Sequence, residues 1–198
     1  HGKTLFTYLH LSGVDPELTK LLLQHQITAI AYETVHDENG RLPLLAPMSE
    51  VAGVLAIQYG AQYLQKKYGG LGLTLGPVTN TETALTVVVG GGFVGEKSAR
   101  IAAGMGGRVV IFDVNPARVE QLNRNFAEYL GPILSKNVQA MVSDSDILME
   151  KIKQADLVVG AVLIPGKRAP HVVTEEHVTA MRDGAVIVDV SIDQGGCV

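Results

Sequence analysis

The chain has 198 residues, 46% of them hydrophobic and 18% charged, with a mean hydropathy of +0.21, which excludes a disordered or low-complexity protein. A net charge of −4 and a pI near 5.8 argue against a nucleic-acid-binding surface; the single cysteine, Cys197, excludes a disulfide framework and fits a reducing, cytoplasmic compartment. No run reaches the roughly 18 apolar residues of a spanning helix, so neither nucleic acid nor membrane is expected as a partner.

In chain order, Leu5 to Leu9 reads as a strand, Pro16 to His25 as a helix, and Thr28 to Thr34 as a short strand containing Glu33. A long helix is expected from Pro47 to Tyr68, opened by proline and closed by Gly69-Gly70, bridging two domains. From Thr81 the pattern changes to short β-branched runs alternating with helical ones. Strands are expected at Leu85–Val89, Arg108–Phe112, Val138–Val142, Ala155–Val162 and Ala185–Val190. The helices between them span Phe93–Met105, Asn115–Tyr129, Asp144–Lys153 and Thr174–Met181. Five apolar strands separated by helices indicate a parallel sheet covered on both faces, a doubly wound α/β fold of the Rossmann type. The expected division is residues 1–46, the C-terminal part of an α/β substrate domain, and residues 47–198, a dinucleotide-binding domain that includes the bridging helix.

Glycine is unevenly distributed: of 22, eleven fall between positions 69 and 107. Within that stretch, Gly90-Gly91-Gly92-Phe93-Val94-Gly95 satisfies the G-x-G-x-x-G pattern directly after a strand and at the start of a helix. Gly90 permits the tight turn. Gly92 lets a pyrophosphate approach the N–H groups of the helix N-terminus, and Gly95 lets the helix lie close on the sheet. Asp113 ends the next strand, where a carboxylate can accept both ribose hydroxyls and repel a 2′-phosphate, which favours NAD over NADP. From the fingerprint alone FAD also stays open, whereas kinase and ATPase readings fail for want of a Gly-Lys-Ser/Thr.

Asp193 lies just past the carboxyl end of the fifth strand, where ligands of open α/β sheets sit; read alone, it is either cofactor-facing or a turn residue. Val162 and Leu163 end the fourth strand and either press on a nicotinamide or merely pack. His10, at the tip of the first strand, is either a structural histidine or a proton-moving group. The remaining histidines have no metal-ligand spacing.

Several longer motifs occur together: Leu5-Phe6-Thr7-Tyr8-Leu9-His10-Leu11, Ala31-Tyr32-Glu33-Thr34, Pro47-Met48-Ser49-Glu50-Val51-Ala52-Gly53, Gly160-Ala161-Val162-Leu163-Ile164-Pro165-Gly166 and Ile192-Asp193-Gln194-Gly195-Gly196-Cys197. Through them the chain closely resembles the bacterial alanine dehydrogenase family over its whole length. The nucleotide-binding subunit of the proton-translocating transhydrogenase looks more distant. The resemblance implies reversible NAD-dependent oxidative deamination of L-alanine to pyruvate and ammonia, with His10 and Asp193 as the catalytic pair. It also implies an NAD site formed by Ser49, Gly90, Gly92, Phe93, Val94, Gly95, Asp113, Arg118, Ser135, Val162, Leu163, Val190, Ser191, Ile192 and Asp193. Arg118 is expected along the adenine. The family is usually hexameric, which implies a homo-oligomer.

The family extends beyond both ends of these residues, and the Arg and Lys expected to hold the substrate fall outside them. These 198 residues are therefore expected to bind NAD without turning over alanine unaided. Other readings are an inactive NAD-binding module, or a related amino-acid dehydrogenase with another substrate. Within the chain, Val54 and the segment Gly76-Pro77-Val78-Thr79-Asn80-Thr81 depart from the family pattern.

Overall fold

The computed structural model describes residues 1–11, 15–164 and 169–198, the side chain of Asp193 excepted. Two parallel strands, β1 (Thr4–Thr7) and β2 (Thr28–Ala31), flank helix α1 (Glu17–Gln24) and form a small sheet of their own. Helix α2 (Ala46–Tyr63) leads into the main sheet, whose strands are β3 (Leu85–Val89), β4 (Arg108–Asp113), β5 (Val138–Val142), β6 (Leu157–Gly160) and β7 (Val186–Asp189). Between them run α3 (Phe93–Gly104), α4 (Pro116–Leu134), α5 (Ser145–Gln154) and α6 (Glu175–Ala180).

All five strands are parallel, in the order β5-β4-β3-β6-β7. The chain winds outward from β3 to β5, then crosses back to place β6 on the other side of β3. Every residue of β3 is buried, as a central strand covered on both faces must be. One face is covered by Ile57 of α2, Ala99, Ala102 and Ala103 of α3, and Leu122 and Phe126 of α4; the other by Leu148 and Ile152 of α5. This is the doubly wound α/β architecture the strand pattern implied.

Helix starts follow local chemistry. Asn115 caps α4 by accepting the Ala117 N–H at 3.0 Å, with Pro116 next in line; Asp144 caps α5 by accepting from Asp146 and Ile147. Buried Asp156 ties two strand starts together: its carboxylate accepts the Leu85 N–H at 2.8 Å and pairs with Arg182.

The ends of elements depart from the sequence pattern where long-range bonds intervene. Strand β1 stops at Thr7 rather than Leu9, because the N–H groups of Leu9 and His10 go to Glu33. Strand β2 stops at Ala31, where a 3₁₀ turn (Tyr32–Thr34) begins. Helix α2 ends at Tyr63, and a separate 3₁₀ turn (Lys66–Tyr68) follows. Helix α4 runs past Tyr129 to Leu134, with a break at Gly131 (φ +69°) ahead of Pro132. The fourth strand is Leu157–Gly160, shorter than the apolar run that announced it.

Candidate functional site

The reversal of strand order puts a crevice between the carboxyl ends of β3 and β6, the place where ligands of open α/β sheets bind. Its floor is the glycine turn. Gly90 has φ +105°, and a Cβ there would lie 2.5 Å from the Ala161 carbonyl oxygen, so only glycine fits. A Cβ on Gly95 would overlap the Gly90 carbonyl oxygen, which lets α3 start flush against β3. Gly92 differs: a Cβ there would meet nothing within 4 Å. Its freedom is directed into open space rather than into the protein.

Asp113, at the end of β4, faces the same space. One carboxylate oxygen accepts the Gly91 N–H at 2.9 Å and the other the Asn115 N–H at 2.8 Å. The carboxylate thus fixes the glycine turn to the neighbouring strand. A cavity of about 380 Å³ opens here, lined by the glycine turn, Phe93, Val94, Asp113, Ser143 and Val162 among others.

Ser49, Val94, Ala161, Val162 and Leu163 are shared with a second, inner chamber of about 140 Å³. Helix α2 brings Ser49 there because Gly53 packs against α3, where Ser98 donates to the Gly53 carbonyl at 3.0 Å. The inner chamber also receives His10 from the end of β1, and Val190, Ser191 and Gln194 from the segment after β7. That segment is held by Asp189, whose carboxylate accepts N–H groups from Ser191 (2.9 Å), Cys197 (2.9 Å) and Val198 (3.3 Å). Ser191 Oγ donates to the Val162 carbonyl at 2.8 Å, closing the two walls on each other. Burial pushes the Cys197 thiol above its ordinary range, with the nearby Asp189 carboxylate adding to the effect.

The structure therefore brings together His10, Ser49, Gly90, Gly92, Phe93, Val94, Asp113, Val162, Leu163, Val190 and Ser191 around two adjoining spaces, with Gly95 packed beneath. The backbone of Asp193 belongs to a 3₁₀ turn (Ile192–Gln194) beside the inner chamber; its side chain, like Pro165 and Gly166 of the fourth-strand motif, lies outside the described residues. Ile192 is 70% exposed and lines neither space.

Two further expected residues line neither space. Arg118 does not lie along the Asp113 cavity. Its guanidinium pairs with Glu96 at 2.6 Å and donates to the Gly91 carbonyl at 2.7 Å, which draws it to the outer side of the glycine turn. Ser135 stands in a 3₁₀ turn ahead of β5, at the amino end of the sheet, whereas the crevice is at the carboxyl end. The serine at the crevice is Ser143, directly after β5, whose N–H donates to the Asp113 carbonyl at 2.8 Å. Gln194 also escaped the sequence reading. Its side-chain oxygen is buried beside the inner chamber with no hydrogen-bond partner among the described residues. Among the described residues no helix is long and apolar enough to cross a membrane.

The family model for the alanine dehydrogenase/PNT C-terminal domain matches residues 56–198, and that for the N-terminal domain matches residues 1–52. A protein named alanine dehydrogenase from Methanococcus maripaludis is 52% identical over 197 residues, covering 100% of this chain and 50% of the relative. A solved structure of L-alanine dehydrogenase superimposes with a TM-score of 0.86 at 45% identity, covering 100% of this chain and 52% of the other. A transhydrogenase from Sinorhizobium meliloti shares the fold at 22% identity and a TM-score of 0.76, covering 98% and 55%. The chain spans about half the length of the curated relatives it matches. With both family models matched in order along its length, the chain belongs to the alanine dehydrogenase/PNT family.

Proposed function

We propose that this chain holds NAD in the crevice between β3 and β6 and serves the NAD-dependent oxidative deamination of L-alanine to pyruvate and ammonia. The observation that carries the reading is Gly92: it is the one glycine of the fingerprint whose missing Cβ opens on the cavity instead of on the protein. The first N–H groups of α3 stand there without a capping side chain, as a pyrophosphate site needs. Asp113 lies within the same cavity and suits a ribose with a free 2′-hydroxyl. Val162 and Leu163, shared by both spaces, suit an apolar wall for the nicotinamide between adenosine end and inner chamber.

When bound, NAD supplies the hydride acceptor for the substrate Cα. The residues of this chain supply the proton chemistry. His10, in the inner chamber, takes the proton released by the substrate ammonium and passes it to solvent, then takes that of the attacking water and returns it to the amine nitrogen as ammonia departs. Asp193, adjoining the chamber, orients that water and offsets positive charge developing on the substrate. Ser191 and Ser49 hold the chamber's polar edge, and the buried side-chain oxygen of Gln194 has no partner among the described residues.

We further propose a division near residue 46, a homo-oligomeric assembly and a cytoplasmic setting. Support for assembly comes from α2. One face buries Gly53, Ala56, Ile57 and Gly60, while Met48, Val51, Leu55, Tyr59 and Tyr63 form an exposed apolar stripe down the other. A helix apolar on both faces is suited to a second contact, here another copy of the chain in the hexamer that the resemblance implies.

Titration of this chain with NADH, followed by its fluorescence, tests the cofactor reading, with NADPH and FAD as competitors. Tight NADH binding and weak competition support it, and absence of NADH binding removes it. Substrate is tested by NADH formation from a panel of amino acids with the whole protein. Assembly is tested by light scattering with Val51→Asp, which should dissociate the oligomer.

A further inference from the structure

Strands β1 and β2 finish side by side, with Thr7 opposite Ala31. Beyond that point the two chains are joined through one carboxylate. Glu33, in the 3₁₀ turn after β2, accepts the His10 N–H at 2.7 Å on Oε1 and the Leu9 N–H at 3.1 Å on the same oxygen, with Oε2 3.3 Å from Leu9 N. His10 itself has φ +46°, the left-handed region that a residue with a Cβ adopts only when its surroundings hold it there. Successive N–H groups converging on one anion are such a hold. From this backbone the His10 side chain reaches the inner chamber, together with Ser191 and Gln194. The Tyr8 ring lies almost parallel to the imidazole, centroids 5.9 Å apart and planes 12° apart, and its hydroxyl donates to the Leu44 carbonyl just ahead of α2.

We propose that Glu33 is a positioning residue for His10, fixing the left-handed backbone that delivers the imidazole to the inner chamber. The proposal deepens the function proposed above and rests on His10 as the proton-moving group. Glu33 is not itself a lining residue of the chamber and reaches it only through His10. Its ionisation agrees: burial works to raise its pKa, but N–H groups of Glu33, His10 and Leu9 and the charge of His10 outweigh that and keep it below 4.5. The carboxylate is thus charged at neutral pH, when the bonds are needed.

The choice of substitution separates charge from geometry. Glu33→Gln keeps an acceptor oxygen at the same reach and weakens the hold. Glu33→Ala removes the acceptor and frees His10 to leave the left-handed region.

The test uses the chain with ¹³C-labelled histidine, its six ring signals recorded by NMR and His10 assigned from His10→Gln. With Glu33→Ala the His10 signal should shift and broaden while the other five hold, and NADH binding should stay within twofold of wild type. Glu33→Gln should leave the His10 signal near its original position. In the whole protein, Glu33→Ala should lower kcat for alanine tenfold or more at unchanged NAD affinity, with part recovered by Glu33→Gln. An unmoved His10 signal in Glu33→Ala overturns the proposal. So does a general shift of all six signals accompanied by loss of NADH binding, reproduced by Glu33→Gln. If the His10 signal responds as described but His10→Gln turns over alanine normally, Glu33 still positions His10, and the catalytic reading of His10 is what fails.

Discussion

Gly92 and Gly95 occupy one turn and make opposite demands, so substituting each with alanine separates ligand binding from folding. At Gly92 the backbone has φ −69° and ψ −166°, an extended conformation open to alanine, and the new Cβ would meet no atom within 4 Å. In the ligand-free chain, Gly92→Ala narrows the unfolded ensemble, which stabilises by about 0.4–1 kcal/mol, but alanine is a poorer N-cap than glycine by a similar amount, so stability should stay within about 1 kcal/mol of wild type. For a chain of this size that holds Tm within roughly 4 °C. With NAD the effect is large. The methyl group stands where a pyrophosphate would approach the first N–H groups of α3, and each lost hydrogen bond to a charged group costs about 1.5–3 kcal/mol. NADH affinity should fall by roughly tenfold to a hundredfold for each such bond. At Gly95 the added Cβ overlaps the Gly90 carbonyl oxygen, backbone against backbone, so neither side yields easily. Gly95→Ala should destabilise the ligand-free chain by about 1–3 kcal/mol or more. Thermal unfolding by circular dichroism with and without NADH, and calorimetric titration, measure both quantities. A Gly92→Ala chain that binds NADH at wild-type affinity, or one destabilised as much as Gly95→Ala without ligand, would refute the reasoning.

Asp113→Asn should cut the preference for NADH over NADPH about tenfold or more in competition titrations, since it removes the charge that repels a 2′-phosphate. It should also weaken the tie to the Gly91 N–H, lowering Tm slightly. Cys197 is fully buried, and its thiol is raised by burial, so a thiol reagent at pH 8 should label it only as fast as the chain opens; Asp189→Asn, which loosens the segment after β7, should speed labelling several-fold. Glu33 has a folded pKa below 4.5, so its stabilising contribution is complete above that pH and fades as the pH falls through the folded value. Denaturation midpoints of Glu33→Gln should thus approach those of wild type in acid and lie furthest below them at neutral pH.

What the sequence made legible follows from range. The five-stranded sheet and its helices were readable because their signals are local: β-branched runs such as Leu85–Val89, caps such as Asn115 and Asp144, and glycines whose chemistry is carried by the backbone. The position of the crevice needs the strand order as well, since a parallel sheet that reverses direction after its third strand opens a crevice at the carboxyl ends of its first and fourth. That rule also explains why Ser135 was misplaced. A parallel strand presents only the residues that follow it to the ligand edge, and Ser135 precedes β5 while Ser143 follows it. Taken strictly, strand polarity alone selects Ser143.

The directions taken by the Arg118 and Glu33 side chains are a different matter, and no local pattern specifies them. The direction of a long side chain is set by its best partner, and for Arg118 that partner is Glu96, on a different helix. Glu33 meets the N–H of a residue 23 positions away, a distance bridged only because β1 and β2 pair in parallel with Thr7 opposite Ala31. Shifting that register by one residue would move the carboxylate about 3.3 Å along the strand and out of reach of His10. The motif around Glu33 was visible in the sequence, but its use depends on a strand register that the amphipathic pattern of four-residue strands does not specify. The candidate site thus joins two kinds of information: a glycine turn written in six adjacent residues, and a histidine whose place exists only once two short strands have found their partner.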